Sequence, residues 1–343
     1  MIGIDENVNA YIFKNRLFIW RKTMNPIVEE ISKIGIVPVI ALDDAKDAKP
    51  LAEALMNGGL PCAEVTFRTD AAEESIRIMT QSFPEMLVGA GTVLTTEQAD
   101  RAAAAGAKFI VSPGLNPKVV KHCIEKGYPI LPGTANPSDV EQAIELGLDV
   151  VKFFPAEQNG GIAMIKAMSA PYTKMKFMPT GGVNADNLKD YLDFKKIVAC
   201  GGSWMVKKEL VAAGEFDKIE QLTREAVTKM LGFEIRHVGI NASNEEEAVK
   251  TVELFEKMFG FTKKMGNSSV FAGTAVEVMK TPYLGRNGHI AIGTNYIKRA
   301  VYHLERMGVQ FDYDTCKPDA NGDYKAIYLK DEICGFAVHL LQK

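Results

Sequence analysis

A chain of 343 residues with 47% hydrophobic and 24% charged content has the make-up of a soluble globular protein long enough for two domains. Its formal charge of -3 gives no reason to expect nucleic acid or an acidic membrane as partner, and no run of about 18 apolar residues offers a transmembrane helix. Five cysteines (Cys62, Cys123, Cys200, Cys316, Cys334), odd in number, scattered and without a Cys-x-x-Cys pair, fit reduced thiols in the cytoplasm rather than a disulfide framework.

Residues 1–23 stand apart. Tyr11-Ile12-Phe13 and Leu17-Phe18-Ile19-Trp20 are split by Lys14, Asn15 and Arg16, a poor secretory core, and Asp5 and Glu6 argue against a transit peptide. We expect an extension outside the core fold, with Met24 as an alternative start. From residue 27 to about 230 a unit of helix, glycine and short apolar strand recurs. Helical segments stop at Gly58-Gly59, Gly106, Gly127 and Gly147, where glycine accepts the left-handed conformation that ends a helix. Thr95-x-x-Gln98 and Ser138-x-x-Glu141 read as capping boxes. The strand candidates are Ile36–Ala41, Ala63–Phe67, Leu87–Gly91, Phe109–Ser112, Ile130–Pro132, Val150–Phe154, Lys176–Pro179 and Ile197–Cys200. Eight of them, alternating with helices, predict a (β/α)8 TIM barrel, with a doubly wound open sheet as the alternative.

Past Leu231-Gly232-Phe233 the pattern changes to two similar modules. One runs strand Ile235–Asn241, helix Glu245–Met258, then three strands ending at Ala275–Met279. The other runs strand His289–Gly293, helix Tyr296–Met307, then strands ending at Phe336–Leu341. His237-Val-Gly-Ile echoes His289-Ile-Ala-Ile, which suggests a duplicated βαβββ unit and a smaller α+β domain. The expected division is 1–23, 24–231 and 232–343.

The chemistry centres on Val150-Val151-Lys152-Phe153-Phe154-Pro155-Ala156-Glu157. Lysine is rarely buried, and burial favours the neutral amine that a Schiff-base nucleophile needs. The plainer reading is a strand-end lysine paired with a carboxylate. On the second strand, period two puts Glu64, Thr66 and Arg68 on one face. That is either a self-neutralising pair or a proton-transfer carboxylate beside an arginine that clamps a substrate carboxylate. Pro179-Thr180-Gly181-Gly182 and Gly201-Gly202-Ser203-Trp204 follow the seventh and eighth strands, where barrels commonly bind phosphate.

These stretches, with Pro38-Val39-Ile40, Gly89-Ala90-Gly91-Thr92-Val93, Ser112-Pro113-Gly114 and Pro132-Gly133-Thr134, resemble the 2-keto-3-deoxy-6-phosphogluconate (KDPG) and 4-hydroxy-2-oxoglutarate (KHG) aldolase family over about residues 25–230. The resemblance implies a class I aldolase that releases pyruvate and needs no metal. It implies that Lys152 forms the Schiff base and Glu64 shuttles protons. Arg68 and Thr92 would hold the pyruvyl carboxylate, with Pro113 shaping that pocket and Phe154 packing near the imine. Gly181, Gly182 and Ser203 would bind the 6-phosphate, and the barrels would form trimers. Two other readings stay open: a phosphate-sugar isomerase in which Lys152 is only an anion ligand, and a non-catalytic sugar-acid sensor.

Residues 233–342 resemble the vicinal-oxygen-chelate superfamily, which includes glyoxalase I and extradiol dioxygenases, through Arg236-His237-Val238, Val276-Glu277-Val278, Gly288-His289-Ile290-Ala291 and the final strand. His237, Glu277, His289 and His339 sit in the first and last strands of the two modules, so a duplicated fold can bring them into one cup for Zn, Ni, Mn or Fe(II). Where glyoxalase I carries a glutamate in the final strand, this sequence has His339, which puts the glyoxalase reaction itself in doubt. The competing reading is a set of hydrogen-bonded histidines in a domain kept for association. His122 and His303 fall on helical segments and read as surface residues.

Overall fold

The computed structural model describes residues 24–319 and 322–343; the expected N-terminal extension lies outside them. Helix α1 (Pro26–Ile34) shows how local sequence sets an element. The Asn25 side chain accepts from the Ile27 amide, Pro26 occupies the first turn where no amide partner is needed, and Val28, Ile31 and Ile34 form the buried stripe. Gly35, at φ +83°, ends it with its N–H on the Ile31 carbonyl. Strand β1 (Ile36–Ile40) follows at once. The alternation continues through α2 (Ala48–Asn57), β2 (Cys62–Thr66), α3 (Ala72–Ser82), β3 (Leu87–Gly91), α4 (Thr96–Ala104), β4 (Phe109–Ser112), α5 (Pro117–Lys126) and β5 (Ile130–Thr134). It ends with α6 (Pro137–Glu145), β6 (Val150–Phe153), α7 (Gly161–Ser169), β7 (Lys176–Pro179), α8 (Leu188–Leu192), β8 (Cys200–Gly202), α9 (Lys208–Ala212) and α10 (Phe216–Leu231).

All eight strands are parallel, in the order β7-β6-β5-β4-β3-β2-β1-β8. Bridges Phe177–Ile197 and Thr180–Gly201 join β7 to the β8 segment and close the sheet. That closure decides for the barrel over the open sheet. Helices cover the outer face and the lumen is filled, so the strands are buried almost throughout and read as continuous apolar runs. Two expectations need correction. The helix after β5 is capped by Asn136, which accepts from the Asp139 amide while Asp139 accepts from Ala135; Ser138 and Glu141 are not the box. Strand β8 lies at Cys200–Gly202, a few residues later than expected, because Ile197 bridges to β7 whereas Cys200, Gly201 and Gly202 pair with β1.

The second sheet contains β9 (Glu234–Asn241), β10 (Lys263–Met265), β11 (Ser269–Ala272), β12 (Val276–Met279), β13 (His289–Thr294), β14 (Phe311–Pro318), β15 (Tyr324–Leu329) and β16 (Ala337–Gln342), with helices α11 (Glu245–Phe259) and α12 (Ile297–Arg306). Its order, β10-β11-β12-β9-β13-β16-β15-β14, is symmetric about the β9/β13 pair. In each half the first strand pairs parallel with the last, as a duplicated βαβββ unit requires.

Helix α12 packs on the N-terminal end of the barrel, and its residues Ile297, Ala300 and Val301 join the barrel's apolar core. Helix α1 leaves carbonyls unpaired at its C-terminus. The Arg299 guanidinium donates to the carbonyls of Ser32 and Val198 at 3.0 and 3.1 Å, and His303 Nε2 meets the Ile34 carbonyl at 3.1 Å. His303 is therefore buried, against the expectation of a surface residue, and burial lowers its pKa. The opposite, C-terminal end of the barrel carries the site.

Candidate active site

In a parallel ladder, directly paired residues point to the same face. Val39 pairs with Glu64 and Glu64 with Gly89; Gly133 pairs with Lys152 and Lys152 with Met178. Two runs of pairs thus bring Glu64 and Lys152 to the lumen from strands on opposite sides. Lys152 Nζ stands 3.0 Å from Glu64 Oε1 and 3.5 Å from Oε2, with both side chains buried. The plainer reading of Lys152, a lysine paired with a carboxylate, and the catalytic one meet in a single contact.

Glycines make this pair possible. A Cβ at Gly91 would lie 2.3 Å from Glu64 Oε1, and one at Gly133 would lie 2.0 Å from the Pro113 carbonyl oxygen. The Phe154 ring is 5.3 Å from Lys152 Nζ, an attractive distance for an ammonium, and Pro155 follows through a cis peptide. Thr92, just past β3, holds a left-handed backbone at φ 55° that non-glycine residues rarely adopt. Such strain persists where the surroundings impose it, often at a binding site.

Arg68 departs from expectation. Strand β2 ends at Thr66, so Arg68 belongs to the turn above it, is exposed, and makes no ion pair with Glu64. It lines a recess with Phe67, Thr69, Asp70, Glu73, Gln98 and Arg101. The Gly181-Gly182 turn is left-handed at both residues and is tied to the strand β6 loop by the Ala156 and Glu157 amides on the Thr180 and Gly181 carbonyls. Ser203 is exposed beyond β8 at the same end.

Thr180 is the residue that sequence reasoning passed over. It bridges to lumen-facing Gly201, is buried, and its hydroxyl has no hydrogen-bond partner. A buried hydroxyl left unpaired is costly, so an acceptor or donor on a ligand is the natural partner. The signal was present in Pro179-Thr180-Gly181-Gly182, which points first to its glycines.

In the second sheet, His237 (β9), Glu277 (β12) and His289 (β13) converge. Glu277 Oε2 lies 3.0 Å from His237 Nε2 and 3.2 Å from His289 Nε2, and the two nitrogens are 3.2 Å apart. Burial opposes ionisation of Glu277, but hydrogen bonds from His237, His289 and Ser269 overcome it and hold the carboxyl well below its usual range. His339 (β16) stands beside this triangle, its ring centre 5.6 Å from that of His237 and 5.3 Å from that of His289, but its nitrogens do not join the converging set. Burial first, then the neighbouring imidazoles, push its pKa down to about 3.

A family profile described as KDPG and KHG aldolase matches residues 27–222. A 2-dehydro-3-deoxy-phosphogluconate aldolase of Treponema pallidum is 49% identical over 204 residues, 60% of this chain and 97% of the relative. A KHG/KDPG aldolase of Escherichia coli is 42% identical over 207 residues, 60% of this chain and 97% of the relative. Among solved structures, a KDPG aldolase of Legionella pneumophila, with pyruvate captured as a covalent carbinolamine, aligns with a TM-score of 0.57 at 36% identity, covering 60% of this chain and 99% of that one. The barrel is therefore that of a lyase of the class I aldolase type, whose chemistry needs no metal. The chain belongs to the KDPG and KHG aldolase family.

Proposed function

We propose that the barrel cleaves 2-keto-3-deoxy-6-phosphogluconate to pyruvate and glyceraldehyde 3-phosphate, 4-hydroxy-2-oxoglutarate to pyruvate and glyoxylate, or both. The observation that carries this reading is the buried Lys152–Glu64 contact at 3.0 Å. Glu64 takes a proton from the lysine, and the freed amine attacks the C2 ketone. Glu64 returns the proton to the carbinolamine hydroxyl, which leaves as water and gives the iminium. Glu64, ionised again, takes the C4 hydroxyl proton, the C3–C4 bond breaks to free the aldehyde, and its electron pair moves into the iminium as an enamine. Protonation at C3 and hydrolysis release pyruvate and the free lysine. Arg68 and Thr92 hold the carboxylate against Pro113, Phe154 covers the imine, and Thr180 bonds a substrate oxygen. Gly181, Gly182 and Ser203 receive the phosphate.

Pyruvate release from either substrate by the purified chain tests this directly, and release from neither contradicts it. A variant separates the phosphate subsite. Gly182 has φ +79°, and a Cβ there would lie 2.5 Å from Glu157 Cγ. Gly182→Ala should raise KM for the phosphorylated substrate about tenfold, the worth of one charge-assisted hydrogen bond. Cleavage of unphosphorylated 4-hydroxy-2-oxoglutarate should change by less than about threefold. Equal losses on both substrates would remove the phosphate role from this turn.

The reading extends to the rest of the chain. Residues 24–231 form the aldolase domain and 232–343 a vicinal-oxygen-chelate-like domain, the barrels assemble as trimers, and the protein is cytoplasmic. Five unpaired cysteines support the last point.

The second domain holds a divalent ion on His237, Glu277 and His289. With metal–ligand distances of about 2.1 Å, ligands at right angles to tetrahedral angles stand about 3.0–3.4 Å apart. The observed edges of 3.0, 3.2 and 3.2 Å fit that range. Two imidazoles and a carboxylate suit Zn, Ni, Mn or Fe(II), with His339 placed to turn in as a fourth ligand. When bound, the ion supplies Lewis acidity toward a hydroxy-keto compound. Elemental analysis of protein purified without chelator should find about one ion per chain, lost in His289→Ala. Chelation should leave aldol cleavage unchanged. A chain that takes up none of these ions makes the domain a binding module.

A further inference from the structure

Seventeen large apolar side chains are exposed among the described residues, and nine of them fall between Phe233 and Met265. That concentration is not the scatter normal for a protein surface. On β9, Val238 pairs with Ile290 and Ile235 with Ile292, so these four share a face, opposite the metal cup that His237 and His289 line. The same face carries the helices. Helix α11 covers β11 and β12 with Ala248 and Val252 but leaves Leu254, Met258 and Phe259 53–59% exposed. Ile235 is 71% exposed, and Val238 and Ile240 are over a third exposed. Val238 pairs with Val276, and Val276 packs against the same small apolar core as Phe255 of α11, which links the strand's apolar face to the helix.

The second module shows what such a surface does in this protein. Its helix α12 occupies the corresponding position and is covered by the barrel. The first module has the same architecture and the same apolar face with no such cover. We infer that this β9/α11 face is a two-fold contact with a second copy of the chain.

Three observations select that occupant. The exposed fractions of Ile235, Val238, Ile240, Leu254, Met258 and Phe259 amount to about three fully exposed large side chains, on the order of 600 Å² of apolar surface before any of the polar rim is added. That is close to the ~800 Å² each partner gives to a standard interface. The rim carries both signs: Glu246 pairs with Lys250 at 2.7 Å and Glu253 with Lys263 at 2.7 Å, with Lys257 exposed beside them. A two-fold axis sets a rim against itself, and a rim of one sign would repel its copy. The centre holds apolar side chains rather than charges, the composition of contacts between like subunits.

The test is the mass in solution of the full chain at micromolar concentration, compared with that of Leu254→Glu/Met258→Glu. The variant should show at most half the wild-type mass while retaining aldol cleavage, which verifies that the barrel is folded. Without barrel trimers the change is from two chains to one; with them it is from an assembly of two or more trimers to a single trimer. Equal masses for folded wild type and variant overturn the inference, as does a wild type that stays monomeric or trimeric. If the double variant fails to fold, hydrogen exchange of the wild type replaces it. Amides of α11 and β9 should be more protected at micromolar than at nanomolar concentration, and protection independent of concentration overturns the contact.

Discussion

Lys152→Ala should abolish aldol cleavage, with a loss of about 10⁴-fold or more in kcat, and Lys152→Arg should not restore it. The amine is the nucleophile in this account, so no neighbouring group takes over its bond to C2. Arginine keeps a positive charge beside Glu64, but its guanidinium is never deprotonated in the working range. A purely electrostatic lysine would leave the arginine variant partly active. The pair also has a structural consequence. Glu64 is 1% exposed, and removing its partner strands a buried carboxylate. Breaking such a pair typically costs about 3–5 kcal/mol. Lys152→Ala should therefore lose stability as well as activity, whereas Lys152→Arg should lose mainly activity. Thermal unfolding of both variants, measured alongside kcat, separates the two effects.

Glu64→Gln should slow cleavage by about 10²–10⁴-fold, the usual worth of positioned acid–base help, while pyruvate should still bind. The amide keeps the volume and can accept a hydrogen bond from Lys152 Nζ, so the arrangement at 3.0 Å has a neutral replacement. What is lost is a group that both takes and returns a proton. Formation of the lysine–pyruvate adduct and exchange of the pyruvate C3 protons should slow together, because both pass protons through the same carboxylate. A loss below about threefold would reduce Glu64 to a structural partner of the lysine. Gly91 supplies a gentler version of the same test, since a Cβ there would meet Glu64 Oε1 at 2.3 Å and displace the carboxylate without removing it.

The sequence makes the barrel legible because each helix–glycine–strand unit carries its own local signals: Gly35, Gly106, Gly127 and Gly147 all take the left-handed conformation expected of helix ends. Lys152 and Glu64 are legible for a different reason. Ionisable residues inside apolar strands demand a partner, and each is the other's. Features that depend on distant chain segments are not legible. The position of β8 follows from pairing between Cys200-Gly201-Gly202 and β1, a backbone match without an apolar pattern. His303 looks like a surface residue on its own helix and becomes buried only because α12 meets α1 from the other domain. Arg68 lies one turn beyond the end of β2, where period two no longer applies. His237, Glu277 and His289 follow from the symmetry of the duplicated unit, but the separation of His339 from their triangle depends on side-chain directions that strand position does not specify.

The Lys152–Glu64 pair and the His237–Glu277–His289 cluster lie apart in the chain. The pair on β2 and β6 faces the C-terminal end of the barrel, and the second domain docks at the N-terminal end through Arg299 and His303. Among the described residues the second domain thus docks away from the barrel mouth, which is the physical reason for expecting chelation to spare aldol cleavage.

The central claim is that Lys152 bonds covalently to the substrate's ketone carbon. Incubating the full chain with pyruvate, reducing with borohydride and sequencing the modified peptide by mass spectrometry tests it most directly. The account predicts one adduct, with the mass of pyruvate less water plus two hydrogens, on the peptide that holds Lys152, and none in Lys152→Arg. No adduct, or an adduct on a different lysine, would contradict it.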